Sequence, residues 1–228
     1  MKALLFDLDG TLTHTDPLHF KAIEHLLKQY DRDISEELFK QHVSGHSNVE
    51  ICAYLFPEKS SAEHIALANE KERLFRELAV QLTPMPGLEA LLARAARDGI
   101  QTGLVTNAPS VNVEHMLAAL KMSDRFDVIV LGEELARAKP GPLPYLTALE
   151  ALGAEPLQAL VFEDSLPGIR AGAAAGICTF GIMTTLSQDE ILAAGAHFAI
   201  MDFTDVRIGQ VIDRQGQSIP AHVKPVSH

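Results

Sequence analysis

The sequence predicts an α/β fold built on a doubly wound parallel sheet, and three observations predict it. Short, continuously apolar runs recur along the chain. Helical apolar spacing fills the intervals between them. One long stretch after the first run carries helical spacing with no convincing strand in it. A continuous apolar run bounded by turn residues reads as a strand covered on both faces, as parallel strands are.

The first such run is Lys2–Asp7, and comparable ones follow at Ile100–Thr106, Phe126–Leu131, Ala159–Asp164 and Ile177–Gly181. Between them Leu88, Leu91, Leu92 and Ala95 repeat at helical intervals. So do Val113, Met116, Leu117 and Leu120, and then Tyr145, Leu146, Leu149 and Leu152. Strand and helix in alternation give the βαβ units of a doubly wound sheet. Gly168, Gly172 and Gly176, with alanines among them, are expected to let a helix lie close to that sheet.

From Asp16 to Leu82 the alternation stops. Phe20, Ile23 and Leu27 keep helical spacing, as do Leu74, Phe75, Leu78 and Leu82. Pro17 suits the first turn of a helix, and Pro84 and Pro86 punctuate the exit. Residues 16–83 are therefore expected to form a small all-helical cap domain inserted after the first strand, entered near Thr13–Asp16 and left near Thr83–Pro86. Residues 1–15 and 84–215 would make the α/β core, and 216–228 a loose C-terminal tail.

Composition narrows the function. The chain has 228 residues, with 19 Lys+Arg against 30 Asp+Glu and a formal net charge of -11. Phosphate backbones and anionic membranes are held by clustered Lys and Arg, so nucleic-acid and polybasic membrane partners are disfavoured. No apolar stretch approaches the roughly 20 residues of a bilayer span. The apolar start stops at Asp7, too soon for a signal peptide. A soluble cytoplasmic protein is expected, monomeric by default. Cys52 and Cys178 make no disulfide or metal framework and read as small buried hydrophobes. His42 and His46 have helical metal-pair spacing, but Gly45 is expected to end that helix, and no zinc site is read there.

Four strand ends carry chemistry. Asp7-Leu8-Asp9-Gly10-Thr11-Leu12 follows the first strand, and ligands of open α/β sheets bind beyond that edge. Leu160-Val161-Phe162-Glu163-Asp164-Ser165 ends a second strand in acids, which a parallel sheet brings to the same edge. Converging carboxylates repel one another unless a cation sits among them, and hard oxygen donors favour Mg²⁺. Thr106 and Asn107 end a third strand before a helix start near Pro109-Ser110, a setting suited to an anion such as phosphate. Lys139, in Ala138-Lys139-Pro140-Gly141-Pro142, is a loop lysine whose value rises because the other groups are acidic.

These four segments resemble the four motifs of the haloacid dehalogenase superfamily, in order and along the whole predicted core. Asp7 and Asp9 match the first, Thr106 the second, Lys139 the third and Glu163-Asp164 the fourth. Phe-Glu-Asp-Ser-Leu-Pro-Gly-Ile-Arg-Ala and the helical insert are similar to the branch of phosphoglycolate phosphatases and β-phosphoglucomutases. The resemblance implies Asp7 as nucleophile through an aspartyl-phosphate and Asp9 as acid and then base. It implies Mg²⁺ held by Asp7, Asp9 (through its carbonyl) and Asp164, with Glu163 in or beside that shell. Thr106, Asn107 and Lys139 would bind the phosphoryl group. An acid useful at neutral pH needs a pKa raised above the usual aspartate value of about 3.9, so an upward shift is expected at Asp9.

His19 and Asn48 are the candidate substrate-binding residues of the cap. Asn48 stands where mutases of this branch place an arginine that grips a second phosphate, which tilts the reading to a phosphatase. Lys59, Lys71 or Arg76 could restore that charge. The implied activity is Mg²⁺-dependent hydrolysis of a small phosphorylated metabolite, such as a sugar phosphate or phosphoglycolate. The alternatives are a sugar phosphomutase and a catalytically silent binding module. Dehalogenation is disfavoured, because it uses neither Mg²⁺ nor the second aspartate.

Overall fold

The structure, a computed structural model, describes residues 1–43 and 46–213. β1 (Ala3–Phe6) is followed by four helices, α1 (Asp16–Lys28), α2 (Glu36–His42), α3 (Asn48–Leu55) and α4 (Ser61–Leu78). Alternation then begins with α5 (Leu88–Asp98), β2 (Gln101–Thr106), α6 (Ser110–Leu120) and β3 (Val128–Leu131). It continues through α7 (Leu143–Ala151), β4 (Ala159–Glu163), α8 (Leu166–Ala174) and β5 (Cys178–Ile182). It ends with α9 (Gln188–Ala193), β6 (Phe198–Ile200) and α10 (Val206–Asp213).

The six strands form one sheet in the order β3-β2-β1-β4-β5-β6, every pair parallel. The five expected strands are all present, with ends shifted by no more than two residues. β6 lies outside that expectation. It is only three residues long, Phe198-Ala199-Ile200, too short to carry a readable pattern. The tail expected from residue 216 lies outside the described residues.

Strand alternation sorts the core. Leu4, Phe6, Leu104, Leu160, Phe162 and Phe180 face one cluster with α5, α6 and α10, while Ala3, Leu5, Val105 and Val161 face another with α7 and α8. On the first face the register aligns Phe6 with Phe162, Phe162 with Phe180, and Phe180 with Phe198. Their rings stack in a row across four strands, with centroids 5.0, 5.4 and 4.6 Å apart.

Glycine has two different uses around α8. A Cβ on Gly172 would lie 2.7 Å from Thr179 Oγ1 and 3.1 Å from Val161, so close packing on the sheet requires glycine there. Gly176 departs from that expectation. It sits past the end of α8 at φ +74 with its nearest neighbour at 3.9 Å, so its role is the left-handed turn into β5.

The insert is built from locally strong signals. α2, α3 and α4 each begin at a serine, Ser35, Ser47 and Ser60, whose hydroxyl accepts from the third helical amide. Glu50 and Glu63 close full capping boxes on the last two. Pro17 lies in the first turn of α1. α4 packs along both α1 and α3 and reaches α6 of the sheet layer. Among the described residues no helix is long and apolar enough to cross a membrane. Cys52 and Cys178 are buried and free.

Because the phenylalanine row spans four strands, Phe180→Ala should lower stability by about 3–5 kcal/mol. Urea unfolding would show it, and a loss below about 1 kcal/mol would mean that the row is not the support of this face.

Candidate active site

β1 is the middle of the sheet, and the chain winds from it to β2 and β3 on one side before returning to β4 on the other. The strand order thus reverses between β1 and β4, where open sheets form their crevice. Phe6 lies opposite both Leu104 and Phe162, so Asp7 leaves the sheet level with Val105 and Glu163. The Asp7 amide still donates to Phe162 O at 3.0 Å, which fixes its height at that edge.

The chain then turns sharply. Gly10 has φ +71, and its amide donates to Thr13 O at 2.9 Å. A Cβ there would collide with Asp164 Oδ2, so both the backbone and the space demand glycine. The Thr184 hydroxyl donates to Gly10 O at 2.6 Å and ties the turn to the segment after β5. Thr11 Oγ1 donates to Asp164 Oδ1 at 3.3 Å.

Lys139 is buried at the centre of the site, although a loop lysine is ordinarily solvated. Its Nζ donates to Asp7 Oδ1 at 2.7 Å, Glu163 Oε1 at 2.5 Å and Val105 O at 2.7 Å, which uses all three of its protons. Glu163 is wholly buried and fully engaged. Besides Lys139, its Oε1 accepts from the Tyr145 hydroxyl at 2.9 Å. Its Oε2 accepts from the amides of Asp164 and Ser165 and from Ser165 Oγ, at 3.2, 3.3 and 3.0 Å. Ser165 in turn caps α8 by accepting from Gly168 N at 3.1 Å.

Burial pushes the Lys139 ammonium towards losing its proton, but the charges of Asp7 and Glu163 outweigh that and hold it protonated. At Asp7 burial wins over the pull of Lys139, with Glu163 and Asp9 adding repulsion, and its carboxyl is raised well above the usual range. Burial and the charges of Asp7 and Glu163 raise Asp164 as well.

This crowding is the test of whether a metal fits. Asp7, Glu163 and Asp164 each offer an oxygen, and these atoms lie within 4.8 Å of one another. One ammonium does not balance three carboxylates, and the donors are all hard oxygens. The set suits a small divalent cation such as Mg²⁺.

Asp9 behaves differently from the expectation. Burial pushes its pKa up, but hydrogen bonding and charge from His19 outweigh it, and the carboxyl is held below its usual value. His19 Nε2 lies 3.2 Å from Asp9 Oδ1, and its ring stacks on Phe75 with centroids 4.1 Å apart. His19 Nδ1 is buried with no partner among the described residues.

Thr106 is buried at the end of β2, its Oγ1 accepting from Ala108 N at 3.0 Å. Asn107 closes on the Lys139 backbone from both amide ends, each at 3.3 Å, and so holds that loop in place. Asn48 is the first residue of α3, where its Oδ1 accepts from Lys71 Nζ at 3.1 Å. Lys59 pairs with Glu63 and Arg76 reaches Asn112, so Lys71 is the cation joined to Asn48. Tyr145, Thr11 and Thr184 escape a sequence reading. Tyr145 registers there only as an apolar helix position, and the threonines give no spacing signal.

Residues 4–182 match the model of the haloacid dehalogenase-like hydrolase family. The chain belongs to that family. It is 33% identical over 202 residues to a phosphorylated carbohydrates phosphatase of Thermotoga maritima, covering 86% of this chain and 92% of the relative. A β-phosphoglucomutase of Bacillus subtilis is 34% identical over 192 residues, covering 80% of this chain and 83% of the relative. Among solved structures, a HAD hydrolase from Entamoeba histolytica superposes with a TM-score of 0.85 at 28% identity, covering 93% of this chain and 98% of the other. The family's sheet and the resemblance carried by the four strand ends therefore agree.

Gly168 offers a test of how tightly the site is built. A Cβ there would collide with the Glu163 carboxylate. Gly-to-Ala in a helix ordinarily stabilises by up to about 1 kcal/mol, but Gly168→Ala should destabilise by about 1–3 kcal/mol. A neutral or stabilising result in denaturant unfolding would show that Glu163 can yield.

Proposed function

We propose that this chain is a Mg²⁺-dependent phosphatase of a small phosphomonoester, a sugar phosphate, phosphoglycolate or similar metabolite. The observation that carries the reading is the buried Lys139 ammonium holding the Asp7 carboxylate at the switch point of the sheet. A carboxylate so held is aimed, and Lys139 offsets part of the cost of its burial, with a bound cation left to complete the compensation that a nucleophile facing a phosphate dianion needs. Two like charges at about 4 Å cost roughly 4 kcal/mol at an effective dielectric near 20, so the compensation decides whether substrate can approach.

In this reading an Asp7 oxygen attacks phosphorus, the bond from phosphorus to the leaving oxygen breaks, and that oxygen takes a proton from Asp9. Asp9 then removes a proton from water, whose oxygen attacks the aspartyl-phosphate and releases inorganic phosphate with Asp7 restored. Asp7, Asp164 and the Asp9 carbonyl would hold Mg²⁺, which offsets phosphoryl charge when bound. Glu163, with both oxygens already accepting, stands beside them and anchors Lys139. Thr106 binds the phosphoryl group, and Asn107 supports it by fixing the Lys139 loop.

With its carboxyl held low, Asp9 is set up as a base. Its acid step needs a proton shared with His19, and the unpartnered His19 Nδ1 gives an entering polar group a place to bond. Residues 16–83 act as the cap and 1–15 with 84–215 as the core, so closure brings His19 to Asp9 and excludes water. Asn48, standing where a mutase has arginine, favours hydrolysis over transfer to a second sugar position, whereas Lys71 bonded to it returns a cation to that place and keeps the mutase as the second reading. The acidic chain with two free thiols suits the cytoplasm, where such metabolites occur.

The test is phosphate release from hexose and pentose phosphates, phosphoglycolate, glycerol phosphates and nucleoside monophosphates, with Mg²⁺ or with chelator. Release should require the metal and fall by about a thousandfold or more in Asp7→Asn. Release that persists in that variant would remove Asp7 as nucleophile. No release, with hexose-phosphate isomerisation under a bisphosphate primer, would make the chain a mutase, and neither would make it a silent module. His19→Ala should lower kcat by about 10²-fold with the fold intact, and an unchanged kcat would detach His19 from Asp9 chemistry.

A further inference from the structure

We propose that Asn112 is the catch that holds the helical insert shut against the sheet layer, with Glu72 and Arg76 as its counterparts on α4. The proposal rests on the cap reading above, but not on the substrate.

Asn112 lies two residues into α6, 2% exposed and flanked by the buried Val113 and Met116. A buried amide is costly unless both its ends are bonded, and here both are bonded by the insert. Its Nδ2 donates to Glu72 Oε2, and its Oδ1 accepts from Arg76 Nη1 at 2.6 Å. Glu72 and Arg76 are one helical turn apart, so α4 presents an acceptor and a donor to the two ends of one amide. That complementarity fits a single relative placement of the two helices.

Glu72 is held ready for this contact. It is buried, and its other oxygen accepts from Lys71 Nζ at 2.6 Å, while Lys71 also donates to Asn48 on α3. These bonds lie within the insert and survive its movement. They leave Oε2 as the oxygen committed to the opposite layer.

The chemistry of the catch suits repeated opening. When the insert swings away, Asn112, Glu72 and Arg76 each exchange a protein partner for water, at a small net cost. An apolar contact of the same size would resist separation through the surface it exposed. The same helix also carries Phe75, stacked on His19, which meets Asp9. Phe75 thus links the catch on α4 to the Asp9 contact on α1, and the two helices pack along each other.

Removing one partner penalises only the shut state, because the other is then buried without a bond. Asn112→Asp is the sharpest change, placing a second carboxylate against Glu72. Adding Glu72→Gln restores the bond, since the new amide donates to the carboxylate introduced on α6, which also pairs with Arg76. The proposal thus predicts rescue by a second substitution.

The experiment is pulsed electron resonance on the whole, ligand-free chain. Spin labels go on cysteines introduced at Ile65 of α4 and Leu157 before β4, both exposed, with native cysteines changed to alanine. The unmodified pair of layers should give a predominantly short distance. Asn112→Asp should raise the long-distance fraction about tenfold, and Glu72→Gln with Asn112→Asp should return it. An unchanged distribution in Asn112→Asp, or no return in the double variant, would overturn the catch. Arg76→Met serves where Asn112→Asp fails to fold. It should raise the long-distance fraction by a smaller factor, and an unchanged distribution there would equally overturn the proposal. Distances are read without turnover, so an inactive protein with this response would refute the phosphatase reading and leave the catch standing.

Discussion

A single buried ammonium sets the terms for this site. Lys139 lies between Asp7 and Glu163, and its third proton goes to the carbonyl of Val105 in β2. It therefore joins three neighbouring strands, β2, β1 and β4, at their C-terminal edge. Burying a lone ammonium or carboxylate is costly, and burying them together is tolerable only when every donor and acceptor is used. That condition explains the crowd around Glu163, whose two oxygens take Lys139, Tyr145, Asp164 and Ser165. Lys139 and Glu163 are the two members that the others share, so removing either one takes a partner from several groups at once.

The same cluster dictates where side chains are forbidden. Glu163 fills the space a Cβ would need on Gly168, and Asp164 fills that space at Gly10. Asn107 does so at Gly132, where a Cβ would collide with its Oδ1. The helix α8 can thus approach β4 closely enough for its capping serine to serve the same carboxylate. Helix cap, strand end and charged group are one construction, although they are distant in sequence from Asp7 and Lys139.

Much of this was readable from the residues. Asp7, Glu163 and Asp164 end apolar runs, and parallel strands carry their ends to one edge, so their meeting follows from local pattern and a topological rule. Lys139 was legible only through what surrounds it, since nothing local distinguishes it from a surface lysine. The rest depends on pairings without local trace. β6 has three residues and exists because Phe198 completes a row begun at Phe6. Tyr145 reads as an apolar helix position, and its hydroxyl gains meaning only beside Glu163. Asn112 reads as an interruption in an apolar helix face until Glu72 and Arg76 are seen opposite it. The expected upward shift at Asp9 fails for a related reason. The sequence displays neighbouring acids, whereas the fold brings His19 closer.

Asp7 and Asp9, two positions apart in the chain, end in opposite electrostatic settings. Asp7 lies at the sheet edge, where burial and carboxylates raise it against the pull of Lys139, and Lys139 and Glu163 both belong to the sheet layer. Asp9 meets His19 on α1 and is held low by a group the insert provides. The insert thus sets the charge surroundings of Asp9 through His19, while Lys139 and Glu163 set those of Asp7. β1 ends at Phe6, so the chain has left the sheet by Asp9, and that carboxylate meets His19. Two carboxylates two positions apart can thus be tuned in opposite directions by different partners, with no separate domain for either residue.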